Sequence, residues 1–100
     1  MKTTIQENGG SITAIFEGRL DTAAATITEQ ALKPLHEFTG SEIIFDCNEL
    51  KYISSSGLRL LLGVLKSAKP KGQHVYIMGI SDDIRTVFAI TGFTNLFEFK

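Results

Sequence analysis

Three serines and a glycine, Ser54-Ser55-Ser56-Gly57, stand where a strand-like segment meets a leucine-rich helical segment. Before them, Ile43-Ile44-Phe45 is a continuous apolar run, which is typical of a strand covered on both faces, and we predict that it is the central strand. After them, leucines recur at three- and four-residue steps from Leu58 to Leu65, as expected of a helix with one apolar side. A capping serine is favoured at such a helix start, so capping alone could explain the serines.

Four other segments have the pattern of strands. Thr3–Glu7 and Ile12–Glu17 are β-prone and are separated by Asn8-Gly9-Gly10, which predicts a β-hairpin. The other two predicted strands are Val75–Met78 and the tail 95–100, in which apolar and polar residues alternate. Because strands alternate with helices after the hairpin, the fold class is α/β, with a mixed sheet of four or five strands and helices packed on it.

Two further helices are predicted. Asp21 or Thr22 can cap the first, and Pro34 should kink it or end it early because proline removes a backbone donor. Ser81 can cap the other, which Gly92 ends. The apolar stripe expected on the first helix comprises Ala24, Ile27, Ala31, Leu35 and Phe38.

Size and charge narrow the function classes. The 100 residues form one expected domain, 1–100, and 10 basic residues nearly balance 11 acidic ones, so we expect no direct nucleic-acid partner. The start of the chain, Met1-Lys2-Thr3-Thr4, lacks the hydrophobic core of a signal peptide. No apolar run is long enough to span a bilayer, so we expect a cytoplasmic protein without membrane insertion. The lone Cys47 has no metal-ligand spacing around it, and the glycines form no nucleotide cradle, so no metal or cofactor is expected.

Two segments carry a family resemblance. Residues 46–58 read Asp-Cys-Asn-Glu-Leu-Lys-Tyr-Ile-Ser-Ser-Ser-Gly-Leu, and residues 16–23 read Phe-Glu-Gly-Arg-Leu-Asp-Thr-Ala. Together they resemble the STAS domain, specifically the bacterial anti-sigma factor antagonists, in order and about 35 residues apart, over nearly the whole chain. One position departs from the usual pattern, because Ser54 stands where the family commonly has an acidic residue.

The resemblance implies a phosphorylation switch. The family's phosphoacceptor falls on Ser55, with Ser54 and Ser56 as alternatives. The unmodified protein would bind an anti-sigma factor that is also its serine kinase, phosphorylation would abolish that binding, and a serine phosphatase would reverse it. The result would be regulated sigma-factor-dependent transcription.

The same resemblance implies a partner surface around the serines. Leu60 and Val64 lie away from the leucine side of their helix, so they could contact a partner or be covered by a neighbouring helix. The residues assigned to partner binding are Asp21, Thr22, Ser54, Ser56, Gly57, Leu60 and Val64.

Two other functions compete with this one. STAS-like domains also serve in membrane transport assemblies, such as phospholipid-trafficking ABC systems, where the same helix face would bind an ATPase. A small enzyme could use Ser55 as nucleophile, but the candidate bases His36 and His74 lie outside any catalytic motif. We therefore expect that the chain is not an enzyme.

Overall fold

The computed structural model describes residues 1–100, which form a five-stranded mixed sheet with helices packed on it. The strand order is β1-β2-β3-β4-β5, with β1 antiparallel to β2 and every other neighbouring pair parallel. The predicted α/β fold with a mixed sheet of four or five strands is confirmed, and the sheet has five. The strands are β1 (Lys2–Asn8), β2 (Ser11–Leu20), β3 (Glu42–Ile53), β4 (His74–Met78) and β5 (Glu98–Phe99), and the helices are α1 (Thr22–Ala31), α2 (Lys33–Glu37), α3 (Ser55–Ala68) and α4 (Asp82–Ile90).

The N-terminal hairpin is present as predicted. Strands β1 and β2 pair from Lys2↔Glu17 to Asn8↔Ser11, which leaves a two-residue turn. Gly9 in that turn has φ +64°, a conformation that residues with a side chain rarely adopt. The turn chemistry therefore sets the register that points Ile12, Ala14 and Phe16 into the core.

The sheet is covered on one face. Strand β3 is central as predicted, but its burial alternates: Ile43 and Phe45 are buried whereas Ile44 is only half-buried. The prediction of a strand covered on both faces is therefore wrong, because the buried residues of β2, β3 and β4 all lie on the same face of the paired strands. A run of three apolar residues does not distinguish these two arrangements.

The first predicted helix is divided at Leu32. Helix α1 ends at Ala31, and α2 begins at Lys33 with Pro34 in its first turn, which confirms the early end. The predicted stripe is wrong at Ile27, which is 76% exposed. Ile27 lies within α1, before the break, so the predicted stripe is one residue out of phase there; the buried residues, which recur at steps of three and four, are Ala25, Thr28, Leu32, Leu35 and Phe38.

The remaining helices follow the sequence pattern more closely. Helix α3 passes into a turn of 3₁₀ helix, Lys69–Lys71, and stops at Gly72, which has φ +70°. Helix α4 is capped by the Ser81 hydroxyl, and its buried residues Ile84 and Phe88 join the same apolar core as the sheet. None of the helices has the length and apolar composition that crossing a membrane requires.

Candidate functional site

The site lies at the carboxyl edge of β2 and β3, where both strands pass directly into helices. Leu20 and Ile53, the last residues of the two parallel strands, are register partners. The backbone N–H of Ser54 donates a 2.9 Å hydrogen bond to the carbonyl of Leu20. The two motifs that carried the family resemblance are therefore joined directly, although they are far apart in the chain.

Each helix at this edge has its own side-chain cap. Asp21 Oδ1 accepts a hydrogen bond of 2.8 Å from the backbone N–H of Ala24, so Asp21 is the cap of α1 and Thr22 is its first helical residue. Ser54 Oγ accepts a hydrogen bond of 3.2 Å from the N–H of Gly57 and caps α3. Each cap accepts from one of the free N–H groups that every helix start presents.

The three serines differ in what their side chains do. Ser54 is half-buried and its hydroxyl is the cap. Ser55 is the first residue of α3 and is exposed. Ser56 is half-buried and faces a groove between α1 and α3. Capping thus accounts for Ser54 alone and leaves the Ser55 hydroxyl accessible from solvent.

The groove beside Ser55 is made by one face of each helix. From α1 it receives residues at helical steps of three and four beginning at Thr22, and from α3 a similar set beginning at Ser56. Sequence analysis identified only Thr22, Ser56 and Leu60 here. The full lining is Thr22, Ala25, Thr26, Glu29, Ser56, Arg59 and Leu60.

Two residues assigned to partner binding lie beneath the surface. Val64 is fully buried, with 0% exposure, because α1 and α2 both pack against α3, so partner contact by Val64 is corrected to a packing role. Gly57 is also buried, and a Cβ added there would lie 2.7 Å from Leu20 Cγ and 2.9 Å from Ile53 Cγ1. Gly57 therefore permits the close approach of α3 to the strand ends and presents no side chain to a partner.

Charged and polar groups near this edge show no arrangement typical of catalysis. Arg19 stacks over the Tyr52 ring, with its guanidinium carbon 4.3 Å from the ring centroid. Burial, together with the adjacent Asp46 carboxylate, raises the pKa of the Cys47 thiol to about 12, so this thiol is protonated at neutral pH. The structure contains no cluster of three or more His, Cys, Asp or Glu side chains placed to hold a metal.

The two histidines lie in other elements of the fold. His36 lies in the last turn of α2. His74 Nδ1 lies 2.9 Å from Glu98 Oε2, which joins β4 to β5. Neither histidine forms a hydrogen bond with Ser55, so the arrangement offers no nucleophile and base pair at the serines.

The family is decided by comparison with known proteins. The family model described as the STAS domain matches residues 2–100. The chain belongs to the STAS domain family. The family assignment made from the two motifs is thereby confirmed.

Several relatives of this STAS domain are anti-sigma factor antagonists. An anti-sigma-B factor antagonist of Staphylococcus aureus is 33% identical over 79 residues, which are 79% of this chain and 73% of the relative. The solved structure of an anti-sigma factor antagonist from Mycobacterium paratuberculosis has a TM-score of 0.87 at 17% identity and covers 98% of this chain and 83% of its own. The phosphorylated form of SpoIIAA from Bacillus has a TM-score of 0.75 at 18% identity, with coverages of 99% and 91%.

Proposed function

We propose that this STAS domain is a cytoplasmic anti-sigma factor antagonist that binds an anti-sigma factor when Ser55 is unmodified and releases it when Ser55 is phosphorylated. The anti-sigma factor would itself be the serine kinase, and a serine phosphatase would restore binding. The Staphylococcus aureus relative is an anti-sigma-B factor antagonist, which supports a regulatory function for this chain.

One observation carries the choice of Ser55. It is exposed at the first position of α3, whereas the Ser54 hydroxyl is held in the cap hydrogen bond to Gly57 N. A kinase must reach the acceptor oxygen and position it for attack, and a free, exposed hydroxyl meets that need without unfolding the helix start. Ser56 is less favoured because it is half-buried in the groove wall.

The proposed docking surface comprises the groove and the capped edge. Asp21, Thr22, Ser56 and Leu60 lie at or beside the groove, and Leu60 is half-exposed. A phosphate on Ser55 adds about 1.5 to 2 negative charges and three acceptor oxygens at the border of this surface. A partner surface shaped for a neutral hydroxyl would then lose contact, and a loss of about 3 kcal/mol weakens binding more than a hundredfold.

The phosphorylation step is tested with an anti-sigma factor kinase from the same genome. The protein is incubated with that factor and ATP, and the phosphate is located by mass spectrometry in the wild type and in Ser54→Ala, Ser55→Ala and Ser56→Ala. We expect that only Ser55→Ala abolishes incorporation. Full phosphorylation of Ser55→Ala would transfer the acceptor role to a neighbouring serine.

The docking step is tested by calorimetry with the same partner. Ser55→Asp should weaken binding strongly, and Ser55→Ala should bind as the wild type does, since the first variant adds charge and the second adds none. Capture from cell extract provides an independent identification of the partner. Recovery of a transporter ATPase in place of a kinase-like anti-sigma factor would support the transport-assembly function and contradict this proposal.

A further inference from the structure

Arg59 lies one helical turn after Ser55 on the same face of α3. Both residues are exposed. The ion pairs of the structure are Lys51 with Glu49 and His74 with Glu98, so the guanidinium of Arg59 has no carboxylate within ion-pairing distance. Arg59 is thus a free cation beside the exposed hydroxyl.

The spacing between these two residues suits an ion pair. Side chains four apart in a helix are neighbours, with Cβ atoms about 5 to 6 Å apart, and an acidic group placed before a basic one is the favourable order. A phosphoserine at position 55 and Arg59 have this order. The guanidinium is planar and presents paired N–H donors that match two oxygens of a phosphate.

We propose that Arg59 is the intramolecular counter-ion of the phosphate on Ser55. The inference rests on the phosphorylation proposed above, and the bond to be formed is a charge-assisted hydrogen bond, with no covalent step beyond that modification. Because the phosphate is attached to the chain, no ion has to be captured from solution.

The groove supplies one competitor for Arg59. Glu29 of α1 lines the same groove, whereas the carboxylate of Asp21 is engaged with the N–H of Ala24. A phosphate on Ser55 carries more charge than Glu29 and is attached one helical turn from Arg59 on the same helix. Phosphorylation should therefore draw Arg59 away from the groove, and the docking surface would lose a cation as it gains an anion at its border.

The test measures the second pKa of the phosphate. Phosphoserine is incorporated at position 55 during translation, without any kinase, and the phosphate is titrated by ³¹P NMR. A cation nearby favours the doubly charged form, so Arg59→Gln should raise this pKa by roughly 0.2 to 0.4 unit, as expected of an exposed pair four residues apart. Arg59→Lys keeps the positive charge but lacks the planar guanidinium with its paired N–H donors, so its phosphate pKa should lie between those of the wild type and Arg59→Gln.

Lys66 provides the matched control on the same helix. It is exposed and lies eleven residues after Ser55, roughly 16 Å along the axis. That separation exceeds the screening length of about 8 Å at physiological salt, so Lys66→Gln should leave the phosphate pKa unchanged. Salt of about 1 M lowers the second pKa of any phosphate, so the readout is the difference in phosphate pKa between the wild type and Arg59→Gln, which should shrink as the salt screens the pair.

Equal phosphate pKa values in the wild type and in Arg59→Gln, at low salt, would overturn the pairing. A difference between the two proteins that does not shrink as the salt is raised would count against it as well. Because the phosphate is installed without a kinase, a failed kinase assay would contradict the proposed function and leave this measurement intact.

Discussion

At the scale of single residues, adjacent serines carry different roles. Ser54 stabilises the start of α3 through its bond to Gly57 N, and Ser55 presents an unengaged hydroxyl. An aspartate can serve as a helix cap as well as a serine can. The substitution of Ser54 for the acidic residue common in the family therefore leaves the helix start intact.

The division of roles predicts unequal effects on stability. Ser54→Ala should lower the free energy of unfolding by about 1 kcal/mol because it removes the cap of α3. Ser55→Ala should change it by less than about 0.5 kcal/mol, since the side chain is exposed. Urea unfolding of both variants measures the difference, and equal losses would show that the cap does not depend on Ser54.

Two glycines of α3 predict opposite outcomes for the same substitution. Gly57→Ala should destabilise the protein by about 1 to 3 kcal/mol because the new Cβ meets Leu20 and Ile53 at less than 3 Å. Gly63→Ala should stabilise it by up to about 1 kcal/mol, since nothing lies within 4 Å of its added Cβ and alanine favours the helix. Thermal unfolding compares them, and a gain for Gly57→Ala would contradict the close approach of α3 to the strand ends.

At the scale of elements, α3 packs on more than one side. Its leucines face the core, where Leu58, Leu61 and Leu65 are buried, and its second apolar stripe is divided between buried Val64 and half-exposed Leu60. A helix with two apolar stripes needs a second partner, and here neighbouring helices cover the Val64 end. The Leu60 end remains at the groove.

This division separates packing from docking. Val64→Ala should lower the free energy of unfolding by about 2 kcal/mol, because it removes buried methyl groups and leaves a cavity. Leu60→Ala should cost less stability and should weaken binding to the anti-sigma factor. Unfolding and calorimetry on both variants test this, and weakened docking by a Val64→Ala protein that is still folded would contradict it.

The elements themselves were largely predictable from sequence, and their exposed faces were not. Hydrophobic period and turn residues identified the hairpin, the break before Pro34 and the caps. Local pattern does not report which neighbour covers a stripe, which is why Ile27 was placed on the buried stripe and why Val64 was included in the partner surface although cover by a neighbouring helix was the alternative. Arg59 and Glu29 could have been found by extending helical steps from Ser56 and Thr22, but only once α1 and α3 were known to be adjacent.

At the scale of the whole molecule, one apolar core of 22 buried residues joins the sheet to the helices. Cys47 lies within it and is 0% exposed. Its raised pKa, to about 12, follows from that burial. The same burial links the stability of the molecule to alkaline pH.

The folded thiol stays protonated where the unfolded thiol ionises. The ordinary value is 9.0, so the unfolded chain binds fewer protons than the folded one between about pH 9 and about pH 12. The contribution of Cys47 to stability is thus complete below pH 9 and is lost as pH rises toward 12. Unfolding at pH 8 and pH 10 should show a larger loss in the wild type than in Cys47→Ala, and identical losses would contradict the buried, neutral thiol.

The separation of the helix cap from the exposed hydroxyl has a consequence for timing. Since the residue that holds α3 in place is not the one offered for modification, adding or removing a phosphate requires no slow rearrangement of the chain. Such a regulator would have no relaxation time of its own. The delay between a stimulus and the change in gene expression would then follow the turnover rates of the enzymes that add and remove the phosphate.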